Sequence, residues 1–266
     1  MLIIGEKINS TRKSIDRAVR SRDVESIREV VLNQVNAGAD MLDVNCGTLD
    51  AQDEPVAMEW LVKTVQETAD VPLCIDSANY KALAAGLGVH RGKAMINSIS
   101  GETERYKNVL PLVKEYGASV VALCMDDKGI PANLNQALEV GTRLVGNLLD
   151  AGVPVDDIYF DPLVRSVATN PETVVETLRL MEEISDRFSG LHFVSGLSNV
   201  SFGLPERRHL NRAYVVLSMA SGLDAVIVDP LDSTLMALVY ATEALLNKDQ
   251  FCMQYIRCYR EGKLKA

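Results

Sequence analysis

Eight short apolar segments recur along the chain at regular intervals, and this repeat constrains the fold more than any other feature of the sequence. Each segment is nearly continuous in apolar residues, as is typical of strands buried on both faces. The predicted strands are LIIGEKIN (2–9), DMLDVNCG (40–47), PLCIDS (72–77), AMINSIS (94–100), SVVALCM (119–125), IYFDPL (158–163), LHFVSGLSN (191–199) and AVIVDP (225–230).

Segments with helical spacing separate these strands, for example VESIREVVLNQVNAG and PETVVETLRLMEEI. Several predicted helices end at a glycine, which can adopt the left-handed conformation of a helix C-terminus. These glycines are Gly38, Gly117, Gly152 and Gly222. Strict alternation of strand and helix predicts a parallel sheet, and eight units predict an α/β fold of the (β/α)8 TIM barrel type. The alternative is an open, doubly wound sheet, but its GxGxxG signature is absent and the first strand carries GEKINS instead.

The 266 residues contain no linker, charge block or low-complexity stretch, so we expect one domain over residues 1–266. The net charge of −9 argues against a broad nucleic-acid surface, and we expect no nucleic-acid partner. No apolar run approaches the ~18 residues of a membrane span. The start, MLIIGEKINSTRK, lacks the features of a secretory signal, and we expect a cytoplasmic protein.

Cysteine and histidine usage predicts neither disulfides nor a bound metal. The five cysteines, an odd number, form no CxxC pair, and we interpret them as reduced. They are Cys46, Cys74, Cys124, Cys252 and Cys258. The three histidines have no HxxxH or HExxH spacing, so we expect no zinc site.

Almost every predicted strand ends in a carboxylate or an amide, and in a TIM barrel the site lies at these ends. The polar end residues are Glu6, Asn9, Asp43, Asn45, Asp76, Asn97, Asp126, Asp161, Ser198, Asn199 and Asp229. One carboxylate can accept two parallel hydrogen bonds from a heterocycle with adjacent N–H and amino groups. A pterin has this pattern, and purines such as guanine share it. Helix capping explains Asp43, Asn45, Asp126 and Asp229 equally well, whereas Asp76, Asn97 and Asp161 close apolar runs and favour a site role.

The ordered motifs GEKIN, LDVN, CIDS, AMINS, YFDPL and GLSNVSFGLPxR, the last followed by NR, extend this interpretation. Together they resemble the methyltetrahydrofolate:corrinoid protein methyltransferases, which are related to the folate domain of cobalamin-dependent methionine synthase. The resemblance runs from Leu2 to about Cys252. It implies a pterin-binding TIM barrel, tetrahydrofolate or methyltetrahydrofolate as substrate, and a homodimer.

The resemblance also implies roles for individual residues. Pterin or folate contacts are expected from Asp76, Asn97, Asp161, Gly196, Ser198 and Arg207. Asn199 corresponds to the catalytic amide that hydrogen-bonds the ring nitrogen carrying the methyl group. Possible supporting residues are Glu6, Asn9, Asp43, Asn45 and Phe202. At Phe202 the chain departs from the acetogen enzyme of the family, which has a glutamine there.

The resemblance implies a corrinoid as the other substrate, and the sequence indicates that a separate partner protein carries it. The chain lacks the DxHxxG signature of many corrinoid-binding modules, since His90, His192 and His209 have other surroundings. The direction of methyl transfer stays open. One alternative is a dihydropteroate synthase-like enzyme, but that enzyme would carry a serine–arginine–lysine element where this chain has SNVS. The other alternative is a non-catalytic subunit that binds pterin or the corrinoid partner.

Overall fold

Eight parallel strands form a closed barrel, so the open-sheet alternative is wrong and the barrel prediction is confirmed. The structure, a computed structural model, describes residues 1–264. The strands are β1 (Leu2–Asn9), β2 (Met41–Asn45), β3 (Leu73–Asp76), β4 (Met95–Gly101), β5 (Ser119–Asp126), β6 (Ile158–Asp161), β7 (His192–Gly196) and β8 (Ala225–Val228). They pair in chain order, and β8 pairs with β1 through Leu2 and Ala225, which closes the barrel.

Ten α-helices lie in residues 1–264, two more than strict alternation requires. They are α1 (Lys13–Ser21), α2 (Val24–Asn36), α3 (Glu54–Thr68), α4 (Tyr80–Val89), α5 (Thr103–Tyr116), α6 (Leu134–Asp150), α7 (Thr173–Arg187), α8 (Arg207–Ala220), α9 (Ser233–Leu245) and α10 (Met253–Arg260). Two helices, α1 and α2, separate β1 from β2, and α10 follows the barrel. The glycines predicted to end helices all have φ between +56° and +108°.

The apolar residues form two separate cores. The larger core lies between the sheet and the surrounding helices. The smaller one fills the barrel interior with Ile4, Met41, Cys74, Met95, Val121, Val194 and Ala225. Because this inner core occupies the barrel below the carboxyl ends of the strands, a ligand has room only above it.

Several strands end earlier than the sequence predicted, and β7 differs most. It stops at Gly196, and Leu197–Ser201 form a 3₁₀ helix instead of continuing the strand to Asn199. The backbone N–H of Phe202 donates to the carbonyl of Asn199 at 3.2 Å, an i to i+3 bond that fixes this turn. The segment that carries Asn199 therefore bends over the barrel mouth.

Four of the five cysteines lie in the protein interior. Cys46, Cys74, Cys124 and Cys258 are buried, Cys252 is exposed, and all five are free thiols. In the described part of the chain, no helix has both the length and the apolar character that a membrane crossing requires.

A close approach of α6 to β6 depends on a glycine. A Cβ atom at Gly141 would lie 2.8 Å from Cζ of Phe160, whose side chain is fully buried. On the same helix, a Cβ atom at Gly146 would meet no heavy atom within 4 Å. An alanine at Gly141 therefore tests packing against β6, whereas an alanine at Gly146 tests helix propensity alone.

We expect Gly141→Ala to destabilise the protein by about 1–3 kcal/mol, because the added methyl group overpacks the contact with Phe160. Gly146→Ala should stabilise it by about 0.5–1 kcal/mol, since alanine has the higher helix propensity. Urea denaturation of both variants measures these changes. Equal changes of the same sign would contradict the packing explanation.

Candidate active site

Polar residues from successive strands meet at one level of the barrel, directly above the inner apolar core. Asn45 of β2 is in register with Asp76 of β3, and Asp76 is in register with Asn97 of β4. Asp43 lies one inward-facing position below, in register with Cys74 of the inner core. The strand ends that the sequence singled out are therefore neighbours in space.

Asp43, Asp76 and Asn97 line a central cavity of about 420 Å³ at the carboxyl end of the barrel. That size suits a small heterocyclic ligand. Its lining consists of Glu6, Asn9, Thr11, Arg12, Asp43, Asp76, Asn97, Ser98, Leu123, Asp161, Gly196, Ser198, Asn199 and Ile227. Most residues predicted for the site thus share this central cavity.

Side-chain amides orient the buried carboxyl groups. Nδ2 of Asn45 donates to Oδ2 of Asp76 at 2.9 Å. Nδ2 of Asn97 donates to Oδ1 of Asp43 at 3.3 Å. Asn45 does not line the central cavity, and its role is to orient the Asp76 carboxyl group through this hydrogen bond. The capping alternative fails for Asp43, whose carboxyl group is buried within the barrel.

Burial dominates the electrostatics of the site. It raises the pKa of Asp76 to about 6 and that of Asp161 to about 6. Burial and the neighbouring Asp76 carboxylate raise the pKa of Asp43 well above its usual value. Oδ1 of Asp161 accepts a hydrogen bond from the backbone N–H of Leu163 at 2.8 Å. Carboxyl groups with so few donors are suited to accept hydrogen bonds from a ligand.

Glu6 connects β1 to the 3₁₀ helix after β7. Its carboxylate accepts a hydrogen bond from Oγ of Ser198 at 3.0 Å and forms an ion pair with Arg12 at 3.2 Å. Burial raises the pKa of Glu6. Asn9 lines the cavity nearby, with its Oδ1 accepting from the backbone and hydroxyl of Thr11.

Asn199 lies at the rim of the central cavity with an exposed side chain. Its amide makes no hydrogen bond to any side chain or backbone group of residues 1–264. A Cβ atom at Gly196 would lie 3.1 Å from Nδ2 of Asn199, so the glycine leaves this amide room. Asn199 can therefore present either its oxygen or its N–H groups to a ligand.

Arg207 and Phe202 lie outside the central cavity. The guanidinium of Arg207 donates to the carbonyl of Ser198 at 2.6 Å and to Oγ of Ser201 at 3.1 Å. It also lies 5.9 Å from the ring centroid of Phe202, whose side chain is 71% exposed. Arg207 thus holds the 3₁₀ helix that carries Asn199.

The strand-end interpretation missed several residues around the cavity. Leu123 and Ile227 line it and follow from alternation along β5 and β8, since they face the same way as the inner-core residues Val121 and Ala225. Arg12 lies beyond the end of β1, where no strand pattern could identify it.

Arg105 of α5 was also missed, and it organises the loops after β3 and β4. Its guanidinium donates to the carbonyls of Ser77, Ala78 and Ser98 at 2.8, 2.6 and 2.7 Å. Its positive charge lowers the pKa of Asp76, in opposition to burial. Only the tertiary fold brings this helix residue to the site.

Two other polar strand ends form ion pairs at the edge of the barrel mouth. Asp126 pairs with Arg143, and its Oδ1 accepts from the backbone N–H of Lys128. Asp229 pairs with Lys7 at 2.7 Å and accepts from the backbone N–H of Leu231. For both residues the loop-stabilising interpretation fits.

The histidines lie away from the central cavity. Nε2 of His90 accepts from the backbone N–H of Leu73 at 3.1 Å, and His192 contacts Asp224 at 2.6 Å. His209 is exposed on α8. Within residues 1–264, no group of three or more His, Cys, Asp or Glu side chains is arranged to hold a metal ion.

Comparison with known proteins gives consistent matches. A family model described as "pterin binding enzyme" matches residues 5–229. The methylcorrinoid:tetrahydrofolate methyltransferase of Eubacterium limosum is 33% identical over 99% of this chain and 98% of that protein. Methionine synthase of Mycobacterium tuberculosis is 30% identical over 86% of this chain, which spans only 20% of that protein.

Among solved structures, dihydropteroate synthase from Xanthomonas albilineans in complex with 7,8-dihydropteroate shares the fold. The TM-score is 0.68 at 19% sequence identity, covering 91% of this chain and 92% of that one. A second structure of that enzyme, with 4-aminobenzoic acid, gives a TM-score of 0.69 at 20% identity.

The raised pKa of Asp161 predicts a pH-dependent effect of Asp161→Asn on stability. In the folded chain this pKa is about 6, above its ordinary value of 3.8. Ionisation of Asp161 in the folded chain therefore lowers the free energy of unfolding of wild type as pH rises through 6. Asparagine does not ionise, so the free energy of unfolding of the variant, relative to that of wild type, should be about 1 kcal/mol higher at pH 8 than at pH 5.

Urea denaturation at both pH values measures this difference. Asp127→Asn is the control, because hydrogen bonds from Thr103 lower the pKa of that exposed carboxyl group. Its stability relative to wild type should stay level between pH 5 and pH 8. If the stability difference between Asp161→Asn and wild type were also the same at both pH values, burial of the Asp161 charge would not destabilise the protein.

Proposed function

This chain belongs to the pterin-binding enzyme family, and we propose that within it the chain transfers a methyl group between a tetrahydrofolate and a corrinoid carried by a separate protein. Family membership confirms the resemblance seen in the sequence motifs. The observation that carries the proposal is the match along nearly the full length of both chains to a methylcorrinoid:tetrahydrofolate methyltransferase. The central cavity supplies groups that suit this activity.

The proposed position of the pterin ring is the central cavity, above the inner apolar core. Asp76 and Asp161 would accept hydrogen bonds from the ring N–H and amino groups, and Asn97 would meet the carbonyl or a ring nitrogen. Gly196 and Ser198 lie against the ring edge. Leu123 and Ile227 provide apolar contact within the same cavity.

Asn199 is the proposed catalytic residue. A tertiary amine leaves poorly, so the ring nitrogen that carries the methyl group must bear positive charge in the transition state. The side-chain oxygen of Asn199 can accept a hydrogen bond from the protonated nitrogen, and its N–H groups can donate to the neutral form. Arg207 and Ser198 hold the 3₁₀ helix in place, so this amide is oriented before the reaction.

The proposed direction is from methylcorrinoid to tetrahydrofolate, in agreement with the name of the Eubacterium limosum relative. The lone pair of the folate nitrogen forms the new N–C bond. The cobalt–carbon bond breaks, and both of its electrons pass to cobalt, giving cobalt(I). The nitrogen then releases its proton to water. By microscopic reversibility, Asn199 stabilises the same charged nitrogen in either direction.

The corrinoid protein would dock over the carboxyl ends of the strands, where Asn199 is exposed. A homodimer and a cytoplasmic location stay predictions from the sequence.

Stopped-flow spectroscopy of cobalt(I) tests the proposed function. Mixing the protein with methylated corrinoid and tetrahydrofolate should produce the cobalt(I) spectrum, and methyltetrahydrofolate with cobalt(I) should remove it. A protein that binds pterin without catalysing transfer would leave both spectra unchanged, and that result would reject the proposed function.

We expect Asn199→Ala to slow methyl transfer by roughly 10²-fold or more, the scale of losing one preorganised hydrogen-bonding group. Folate affinity should weaken less, because the aspartates that bind the ring are unaltered. Single-turnover kinetics and equilibrium binding measure the two effects. Asn33→Ala, an exposed position on α2, is the matched control and should behave as wild type. Unchanged single-turnover rates in Asn199→Ala would remove this residue from the mechanism.

A further inference from the structure

β1 contains one more residue than the part of β2 with which it pairs. Gly5 is in register with Leu42. The next pair in register is Ile8 with Val44, so three steps along β1 correspond to two along β2. The extra residue lies within the GEKIN motif and forms a β-bulge, a feature that redirects the side chains around it.

The bulge changes the alternation of side chains along β1. Ile4 belongs to the inner apolar core, and Glu6, two positions further on, lines the central cavity. Ile8 belongs instead to the core between sheet and helices, whereas Asn9 lines the cavity. Regular alternation would place Ile8 inside the barrel and Asn9 outside it. Because of the bulge, Glu6 and Asn9 both face the cavity although they are three positions apart.

A buried amide on α2 holds the bulge in place. Within residues 1–264, Lys7 has no register partner in β2 or β8, and its backbone N–H donates to Oε1 of Gln34 at 2.9 Å. Gln34 is fully buried. A Cβ atom at Gly5 would lie 2.5 Å from Oε1 of Gln34, so glycine leaves room for this contact. Gly5 and Gln34 together fix the backbone that carries Glu6.

The Glu6 carboxyl group lies between the bulge and the 3₁₀ helix. It accepts a hydrogen bond from Oγ of Ser198 at 3.0 Å and contacts the guanidinium of Arg12 at 3.2 Å. Burial raises the pKa of Glu6, while the bond from Ser198 and the charge of Arg12 oppose that rise. The other charged groups near it come from β1, β2 and the loop after β8, and they are Lys7, Asp43 and Asp229. A carboxylate with a raised pKa is a stronger base than an exposed one.

Glu6 differs in position from the other carboxyl groups of the central cavity, which are Asp43, Asp76 and Asp161. Those three lie on β2, β3 and β6, and within residues 1–264 none of them hydrogen-bonds to the 3₁₀ helix. Glu6 does so through Ser198, the residue that precedes Asn199. A ring nitrogen in contact with Asn199 would therefore lie on the side of the cavity where Glu6 is held.

We propose that Glu6 is the proton acceptor of the reaction, directed by the β-bulge toward the ring nitrogen that receives the methyl group. This inference rests on the proposed function, because it requires a tetrahydrofolate in the central cavity.

The proton balance is as follows in the proposed direction. Once the N–C bond has formed, the nitrogen carries a positive charge and a proton. Its N–H bond breaks, the electron pair stays on nitrogen, and the proton passes through a water molecule to the Glu6 carboxylate. Solvent at the barrel mouth then takes the proton from Glu6, whose side chain is 20% exposed. In the reverse direction Glu6 supplies the proton.

The pH dependence of single-turnover transfer from methylcobalamin to tetrahydrofolate tests this role. Glu6→Gln can still accept the hydrogen bond from Ser198, but it cannot take up a proton. Above the pKa of Glu6 we expect wild type to be roughly 10²-fold faster than the variant, on the scale of general base catalysis. Below that pKa the ratio of the two rates should fall toward one, because the wild-type carboxyl group is already protonated. The ratio isolates Glu6, since ionisation of the folate is common to both proteins.

Rescue by formate is the second measurement. Glu6→Ala leaves space for a small carboxylate, and added formate should raise its rate by about 10-fold, whereas the rate of Asn199→Ala should not respond. Glu25→Gln is the matched control, because the Glu25 side chain on α2 is 78% exposed, and it should have wild-type rates at every pH. Tetrahydrofolate affinity of Glu6→Gln should change little, since the aspartates proposed to bind the ring are unaltered.

The outcomes separate this inference from the proposed function. A rate ratio that stays level with pH, or a Glu6→Ala variant that formate leaves unchanged, would overturn the inference and assign Glu6 to support of the 3₁₀ helix. Equal losses of rate and of folate affinity in Glu6→Gln would also overturn it. These results leave the proposed function intact, because wild type still transfers the methyl group. Absence of transfer by wild type would overturn the proposed function, and this inference with it.

Discussion

Carboxyl groups buried inside the barrel are the constraint around which the rest of the site is built. Asp43, Asp76 and Asp161 lie above an apolar inner core, where hydration of their charge is largely lost. The amides of Asn45 and Asn97 orient two of them but leave acceptor positions free. Such groups cost folding free energy unless a ligand supplies hydrogen-bond donors. The barrel thus keeps a layer of buried carboxyl groups that destabilises the fold until hydrogen-bond donors reach it.

The residues proposed for recognition and the residue proposed for catalysis lie on different parts of the fold. The aspartates lie on β3 and β6, which are held rigidly in the sheet. Asn199 lies on a 3₁₀ helix at the rim, where its side chain is exposed. The contacts of Arg207 and Glu6 stabilise that helix from two sides. Since dihydropteroate synthase shares the fold at 19% identity, the barrel alone does not define the reaction.

The sequence predicted the parts of this structure that follow from periodicity. Alternation of strand and helix gave the barrel, and inward-facing polar ends gave Asp76, Asn97 and Asp161. It did not predict that β7 would stop at Gly196, because LHFVSGLSN reads as one continuous run and the bend depends on hydrogen bonds across the turn. Arg105 and the role of Arg207 depend on contacts between distant elements. No local pattern carries that information.

The most direct test of the account is the number of protons released when a pterin binds. With Asp76 and Asp161 near pKa 6, a pterin that requires both as carboxylates should release about one proton per chain at pH 6 and almost none at pH 8. Titration calorimetry in buffers of different ionisation enthalpy counts these protons. An oxidised pterin avoids protonation of the ring nitrogen itself. Proton uptake, or binding without proton exchange at both pH values, would contradict the claim that buried carboxylates receive the ligand.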